Sequence, residues 1–200
     1  MTPASESQLA SAVLMILPVR FESNPHTAAS NKFQGRNADS AEKQQADAAA
    51  EFAGLRDALE AGGIEVIAFD DTEEPHTPDA IFPNNWVSFH ADGTVVLYPM
   101  EASNRRTERR LDIIDALSSQ HGFQVREIVD LSAHEDDGQY LEGTGSLVLD
   151  RSNRIAYACL SSRTHLDAIG DFAQRLGYRV VAFDAVDSDG APIYHTNVLM

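Results

Sequence analysis

The chain has 200 residues, 43% of them hydrophobic, and a formal net charge of −16 at pH 7. This length allows one domain or a small pair with a sizeable core, and the negative charge argues against nucleic acid as a partner because few cations would face phosphates. No apolar stretch approaches the roughly 18 residues of a membrane span. A single cysteine excludes an intrachain disulfide framework and, with a polar N-terminus, indicates the cytosol.

In chain order, the first predicted elements are a strand, a helix and a second strand. Residues 12–19 form a short apolar run that suits a buried strand. Residues 39–61 predict a helix, because good helix formers carry apolar side chains at helical spacing. Residues 64–69 then predict the second strand.

The following segments predict hairpins, each followed by a helix and a strand. Asp92 and Gly93 mark the first hairpin, since this pair tolerates positive φ. The predicted strands lie at residues 86–90, 94–98, 123–129, 146–149, 154–160, 178–183 and near 193–200, and the predicted helices at residues 104–120 and 164–176. The basic run within residues 104–120 is interpreted as a solvated helix face.

Three glycines show that this order is a repeat. Gly63, Gly122 and Gly177 each follow a helix and precede an apolar strand, at spacings of about 55 to 60 residues. About twenty residues after each glycine, where the next strand begins, lies a polar group. In a ring of repeats, equivalent positions converge on the axis, so these groups are expected to share one cleft. They are Asp79 and Asn85, then Glu142, then His195.

The pattern predicts an α/β fold of repeated ββαβ units in a single domain over residues 1–200. The apolar end at residues 198–200 would leave an unpaired strand edge. We therefore expect the domain to be the N-terminal part of a longer one, although a true terminal strand is the alternative.

Several short motifs carry a resemblance to a known superfamily. They lie at residues 19–24 (VRFESN), 77–86 (TPDAIFPNNW), 141–145 (LEGTG), 160–164 (LSSRT) and 194–197 (YHTN). In order and spacing they resemble the guanidino-group-modifying penteins, an α/β-propeller superfamily of ββαβ units. The most similar members are arginine-deiminase-related citrulline utilisation hydrolases of the amidinotransferase family. The resemblance implies that about three of five units are present.

Cleavage of a ureide or guanidine needs a nucleophile, a proton donor and a carboxylate that orients the donor. By resemblance, His195 is the general acid and later the base, and Glu142 holds His195 and the substrate nitrogens. The resemblance also implies that Asp79 binds a substrate nitrogen, that Phe82 lines the pocket, and that Arg163 holds the substrate α-carboxylate through its bidentate fork.

Each of these residues also has a structural interpretation. A lone loop histidine is more often structural than catalytic, and an exposed arginine such as Arg163 commonly pairs with a surface acid. Gly143 and Gly145 are expected to permit close backbone approach beside Glu142, or simply to form a tight strand entry.

Asn85 bears on the substrate, because cation-binding members place a carboxylate there. An amide offers a donor and an acceptor without charge, which suits a neutral ureido group, whereas a guanidinium buried beside an amide is costly. This favours hydrolysis of citrulline to ornithine. Arginine deiminase, dimethylargininase or amidinotransferase activity remain alternatives, as does a non-catalytic pentein-fold binding protein.

The sequence predicts no catalytic role for Cys159. It lies in an apolar strand, where a buried and inert thiol is expected. In the superfamily the catalytic cysteine lies near the C-terminus of the complete chain, so residues 1–200 alone are expected to be inactive. The acidic cluster at residues 134–137 is expected to be solvated and lacks a metal-binding spacing. We predict no metal or cofactor, a small-molecule amino acid as the partner, no membrane or nucleic-acid partner, and a possible homo-oligomer.

Overall fold

The computed structural model describes residues 6–27 and 39–200. These residues form two compact units. The smaller unit comprises the described residues of 9–83 together with 102–108, and the larger unit comprises residues 6–8, 84–101 and 109–200. The prediction of one domain over the whole chain stays a prediction.

The smaller unit contains a parallel strand pair joined by one helix. Strand β1 (Ala12–Leu17) leads through helix α1 (Ala41–Ala61) to strand β2 (Glu65–Asp70). Ala12 lies opposite Glu65 in the parallel register, a pairing that requires a crossover connection such as α1. The Ser40 side chain caps α1 by accepting a hydrogen bond from the Lys43 amide. All three predicted elements are confirmed, with small shifts at their ends.

The larger unit contains two sheets of the same topology. In the first, β3 (Val87–Phe89) pairs antiparallel with β4 (Thr94–Leu97), which pairs parallel with β5 (Glu127–Asp130) after helix α2 (Leu111–Gln120). Gly93 takes a φ of +86° in the β3–β4 turn, as the hairpin prediction requires. This set is one complete ββαβ unit.

The second sheet repeats this arrangement after a short helix, α3 (Gly143–Ser146). Strand β6 (Leu147–Asp150) pairs antiparallel with β7 (Ile155–Cys159), and β7 pairs parallel with β8 (Arg179–Phe183) after helix α4 (Leu166–Leu176). The predicted ββαβ repeat is thereby confirmed. A single buried cluster packs the two sheets against α4. It includes Val96, Tyr98, Val129, Leu147, Ala156, Ile169, Phe172 and Tyr178.

The structure corrects the predicted helix over residues 104–120. Residues Ser103–Glu108 form a 3₁₀ helix, and α2 begins at Leu111 because Arg110 has an extended backbone. The basic run is not a uniformly solvated face: the Arg105 side chain is 2% exposed, and its Nε donates to Glu108 at 2.9 Å. Burying this guanidinium requires the partner carboxylate.

The predicted strand near residues 193–200 is also wrong. Thr196–Val198 form a 3₁₀ turn instead. The Thr196 hydroxyl accepts a hydrogen bond from the Cys159 amide and donates one to the Ser146 carbonyl, so a side chain satisfies backbone groups that a paired strand would otherwise satisfy. Among the residues that the structure describes, no helix has the length and apolar character needed to cross a bilayer.

Candidate active site

A carboxylate and an imidazole meet inside the larger unit. Glu142 directly precedes α3 and has no solvent exposure, and His195 is 5% exposed. The Nε2 atom of His195 lies 2.9 Å from Oε2 of Glu142. Because an ionised carboxylate only accepts hydrogen bonds, Nε2 carries the hydrogen. This contact orients the ring, and Nδ1 is the ring nitrogen that does not face the Glu142 carboxylate.

Arg163 contacts the same carboxylate. Its Nη1 lies 3.2 Å from Glu142 Oε2, and its Nε lies 3.3 Å from Oε2 of Glu101. The Arg163 guanidinium is 3% exposed and also lies over the Tyr194 ring, 5.0 Å from the ring centroid. The structure therefore brings together three predicted residues, Glu142, His195 and Arg163, in one buried group.

Backbone contacts fix the segments that carry these side chains. The Ser146 hydroxyl accepts from the Glu142 amide at 2.9 Å and donates to the Arg163 carbonyl at 2.8 Å. The Thr196 hydroxyl then ties the residue after His195 to the Ser146 carbonyl at 2.5 Å. Sequence reasoning missed Ser146 and Thr196, although their positions beside the two predicted catalytic residues were the available signal.

The predicted close approach at the glycines is confirmed. A Cβ on Gly145 would lie 2.5 Å from Asn85 Nδ2 and 2.7 Å from His195 Nδ1. A Cβ on Gly143, whose φ is +45°, would overlap the Asn84 carbonyl oxygen. The Asn85 amide and the His195 ring therefore both pack directly against Gly145.

Asn85 is the fourth predicted residue within the larger unit. It is 5% exposed, and its Nδ2 lies 3.5 Å from the Glu142 carbonyl oxygen, at the long limit of a hydrogen bond. The Asn85 amide and His195 Nδ1 both lie close to Gly145, so the two side chains are neighbours in the buried group.

Asp79 and Phe82 belong to the smaller unit. Oδ2 of Asp79 accepts from Asn24 Nδ2 at 2.7 Å, and Arg105 Nε lies 3.7 Å from the same oxygen. Phe82 is 47% exposed. The sequence does not predict the contacts of Asp79 with Asn24 and Arg105, although Asn24 ends the motif at residues 19–24 and Arg105 belongs to the basic run. The proposed roles of Asp79 and Phe82 towards a substrate stay predictions.

Cys159 has the buried environment expected from the sequence. It has no solvent exposure, and burial raises the pKa of its thiol. Its Sγ lies 3.6 Å from the Ile193 carbonyl oxygen. A thiol with a raised pKa carries less of the reactive thiolate, so this residue is poorly suited to act as a nucleophile.

The acidic loop near residue 135 is not simply solvated, which corrects the sequence interpretation. Oε1 of Glu135 accepts from Arg109 Nη1 at 2.5 Å and from the Met100 amide at 2.8 Å. His134 lies 2.7 Å from Gln139 Oε1 through its Nδ1. The contact of Glu135 with the Met100 amide holds the backbone immediately before Glu101, the residue that pairs with Arg163.

Residues 17–200 match the protein family described as N,N dimethylarginine dimethylhydrolase, eukaryotic. The chain belongs to this family. The match covers all five motifs and places the chain among the pentein guanidino-group-modifying proteins, so the resemblance seen in the sequence is confirmed. A comparison with curated proteins gave no match.

Three solved structures are similar in fold to this member of the dimethylarginine dimethylhydrolase family. The N-terminal domain of ArgZ bound to product, an arginine dihydrolase from cyanobacteria, is 21% identical with a TM-score of 0.66; the alignment covers 92% of this chain and 60% of that one. The dimethylarginine dimethylaminohydrolase of Pseudomonas aeruginosa complexed with citrulline is 15% identical with a TM-score of 0.59, covering 88% and 62%. Unliganded AgrE is 21% identical with a TM-score of 0.66, covering 93% and 25%.

These structural similarities show the fold, which is the pentein fold of propeller-like ββαβ units. The chain spans about 60% of the ArgZ N-terminal domain. Within the described part of this family member, the structure shows two complete ββαβ units and one βαβ set.

Proposed function

We propose that the full-length protein is a cysteine-dependent hydrolase that cleaves a non-peptide C–N bond of a ureido or guanidino amino acid. We favour citrulline as the substrate and ornithine as the product. The observation that carries the proposal is the buried hydrogen bond between Glu142 and His195. Because a carboxylate that orients an imidazole is the arrangement that general acid–base catalysis needs, this pair supplies the proton-transfer half of the reaction.

In the proposed reaction, a cysteine thiolate adds to the central carbon of the ureido group. The bond from that carbon to the departing amine then breaks, and the amine takes a proton from His195. A water molecule then adds to the carbon bound to sulfur, the C–S bond breaks to release carbamic acid and the thiolate, and a proton of the water passes to His195. Glu142 keeps Nε2 hydrogen-bonded throughout, so the transferred proton moves on Nδ1.

The nucleophile in this proposal is a cysteine outside residues 1–200. Cys159 is the only cysteine within them, and its burial and raised pKa disfavour that role. The catalytic cysteine of the superfamily, as the sequence resemblance implies, supplies the missing group.

The position of Asn85 supports a neutral substrate. Its amide and Nδ1 of His195 both pack against Gly145, so in this proposal a substrate that exchanges a proton with His195 lies near the amide. An amide can donate to a ureido oxygen without adding charge. In addition, the Glu142 carboxylate already contacts Arg163 and His195, which leaves less negative charge to neutralise a guanidinium.

Hydrolysis of a methylated arginine to citrulline is the second candidate, and the family match favours it. The same residues would act, with a methylamine as the leaving group. The sequence-based roles of Asp79, which would bind a substrate nitrogen, and of Phe82, which would line the pocket, remain proposals. The sequence-based role of Arg163, binding of the substrate α-carboxylate, remains proposed, but its observed ion pairs favour a role as the partner of Glu142.

The remaining proposals concern the setting of the enzyme. We propose that it acts in the cytoplasm without a metal or cofactor, that its ligand is a free amino acid, and that it forms homo-oligomers. The opposing hypothesis is a non-catalytic binding protein with this fold, which would turn over none of the candidate substrates.

The test is to incubate the full-length protein separately with citrulline, arginine and asymmetric dimethylarginine, and to identify the products by mass. We expect ornithine from citrulline and no ornithine with a His195→Ala variant. Fast conversion of arginine or dimethylarginine without action on citrulline would reject the favoured substrate. Absence of turnover with all three would reject the hydrolase proposal in favour of a binding protein.

A further inference from the structure

We infer that Glu101 is a positioning residue that holds the Arg163 guanidinium against Glu142 and thereby sets how readily His195 is protonated. This inference rests on the proposed function only for its catalytic consequence, because the contacts themselves do not depend on a substrate. Neither the sequence pattern nor the family match assigns a role to Glu101.

The geometry forms a closed set of three contacts. The backbone amide of Glu101 donates to Oε1 of Glu142 at 3.2 Å. The side-chain Oε2 of Glu101 lies 3.3 Å from Nε of Arg163, and Nη1 of Arg163 lies 3.2 Å from Oε2 of Glu142. Glu101 therefore contacts Glu142 through its backbone amide and Arg163 through its carboxylate. These two contacts hold Arg163 and Glu142 next to each other.

The surroundings of this set make its charges effective. The side chains of Glu142 and Arg163 are 0% and 3% exposed, whereas that of Glu101 is 30% exposed. Charges interact more strongly at such buried positions than in water. Glu101 itself is near enough to solvent to be replaced without opening the core.

The charge balance predicts the effect on His195. Glu142 contacts His195 directly, Arg163 contacts Glu142, and Glu101 contacts Arg163. The Tyr194 ring also lies beside the imidazole, with ring centroids 4.7 Å apart. Within this set, two carboxylates face one guanidinium, so the Glu101 charge favours a proton on His195. Removing that charge makes the buried set one unit more positive and therefore disfavours the proton.

A different role would be competition with the substrate. If Arg163 binds a substrate α-carboxylate, Glu101 would occupy Arg163 in the free enzyme and have to be displaced. The two roles predict different results. A positioning role changes kcat and the pH profile, whereas a competitor's removal lowers KM and leaves the pH profile unchanged.

The experiment is an NMR titration of the His195 ring in the full-length protein, with its signal assigned by comparison with His195→Gln. We expect Glu101→Gln to lower the pH of half-protonation by on the order of one pH unit. Glu101→Asp keeps the charge and the backbone amide, so its midpoint should lie closer to that of the unmodified protein. If Glu101→Gln fails to fold, the smaller downward shift expected for Glu101→Asp remains measurable.

The matched control is Asp112→Asn, which removes one carboxylate from an exposed ion pair with Arg110 in the same unit. It should leave the His195 midpoint unchanged. An unchanged midpoint in Glu101→Gln, or an equal shift in the control, would overturn the inference. So would a lower KM in Glu101→Gln with an unmoved pH profile of kcat. If no substrate is turned over, the proposed function fails, yet the titration still decides the role of Glu101.

Discussion

His195 and Glu142 lie 53 positions apart in the sequence, yet their side chains meet at 2.9 Å in a buried hydrogen bond. The contact joins the segment after β8 to the start of α3. Because both groups are withdrawn from water, the hydrogen bond is stronger than the same contact at a surface. The pair is therefore the part of the molecule where small chemical changes should have the largest functional effect.

The first prediction concerns the charge of Glu142. Glu142→Gln keeps the size of the side chain but removes the carboxylate that favours protonated His195 and pairs with Arg163. We expect kcat of the full-length enzyme to fall by roughly 10² to 10⁴. The measurement is the steady-state rate per folded molecule, with the folded fraction taken from circular dichroism.

Glu127→Gln is the matched control, because Glu127 is exposed on β5. Its rate should equal that of the unmodified enzyme within experimental error. If Glu142→Gln retained most of its rate while folded, Glu142 would not orient the proton donor.

The second prediction concerns substrate choice through Asn85. Asn85→Asp would add a carboxylate beside His195 Nδ1, near the reacting group of the substrate. We expect the ratio of kcat/KM for arginine to that for citrulline to rise by about tenfold or more, a free-energy change of about 1.4 kcal/mol. Gln120→Glu, which adds a charge at the exposed end of α2, should not change this ratio. An unchanged ratio in Asn85→Asp would show that Asn85 does not select the substrate.

The third prediction uses two glycines of the larger unit that differ in their surroundings. A Cβ at Gly145 would press on Asn85 and His195, whereas a Cβ at Gly170 in α4 would meet no atom within 4 Å. We expect Gly145→Ala to lower the free energy of unfolding by about 1 to 3 kcal/mol, and also to reduce turnover. Gly170→Ala should instead raise that free energy by up to about 1 kcal/mol, because alanine is a better helix former.

Urea unfolding of both variants decides this prediction. If Gly145→Ala were as stable as the unmodified protein, the Asn85 and His195 side chains would move aside easily. The close packing over Gly145 would then not define the site.

The sequence carries enough information to predict the repeated fold. Helical apolar spacing before Gly63, Gly122 and Gly177 locates each helix-to-strand transition, and the Asp-Gly turn locates a hairpin. The equal phase of Glu142 and His195 after these glycines predicts that the two approach one another, and the structure places them in contact.

Other features have no local pattern and could not be predicted. The pairing of Arg163 with Glu101 joins residues 62 positions apart, and no periodicity marks such a pair. Similarly, Arg105 appears in a basic run that resembles a solvated face, but its partner Glu108 allows it to be buried. The strand predicted after Ile193 fails because strand pairing depends on a neighbour, whereas the Thr196 side chain satisfies the local backbone.

The last prediction is a pH dependence of stability that originates at His90, within the larger unit. Its ring lies 3.1 Å from Ser88 Oγ through Nε2, and Ser88 Oγ lies 2.7 Å from the Tyr98 hydroxyl. Burial, assisted by the positive charge of Arg151, lowers the pKa of His90 from its ordinary 6.5 to about 4.

This shift fixes the sign of the effect. Between about pH 6.5 and about pH 4, the unfolded chain binds a proton at His90 and the folded protein does not, so the free energy of unfolding falls as the pH falls through this window. Above about pH 6.5, His90 is neutral in both the folded and the unfolded chain, so it no longer lowers the free energy of unfolding. From the size of the shift, the loss amounts to about 3 kcal/mol at most.

The variant His90→Gln removes the titrating ring while keeping a polar side chain near Ser88. Urea unfolding at about pH 7 and about pH 4.5 should show a smaller decrease for the variant than for the unmodified protein, because the carboxylates titrate in both. The comparison rests on the difference between the two decreases, so a general loss of stability in the variant does not affect it. Equal decreases would mean that His90 takes up its proton in the folded protein as readily as in the unfolded chain. The negative charge of Glu6, whose Oε1 lies 3.9 Å from Nδ1 of His90, would then outweigh the effects of burial and of Arg151 on the pKa.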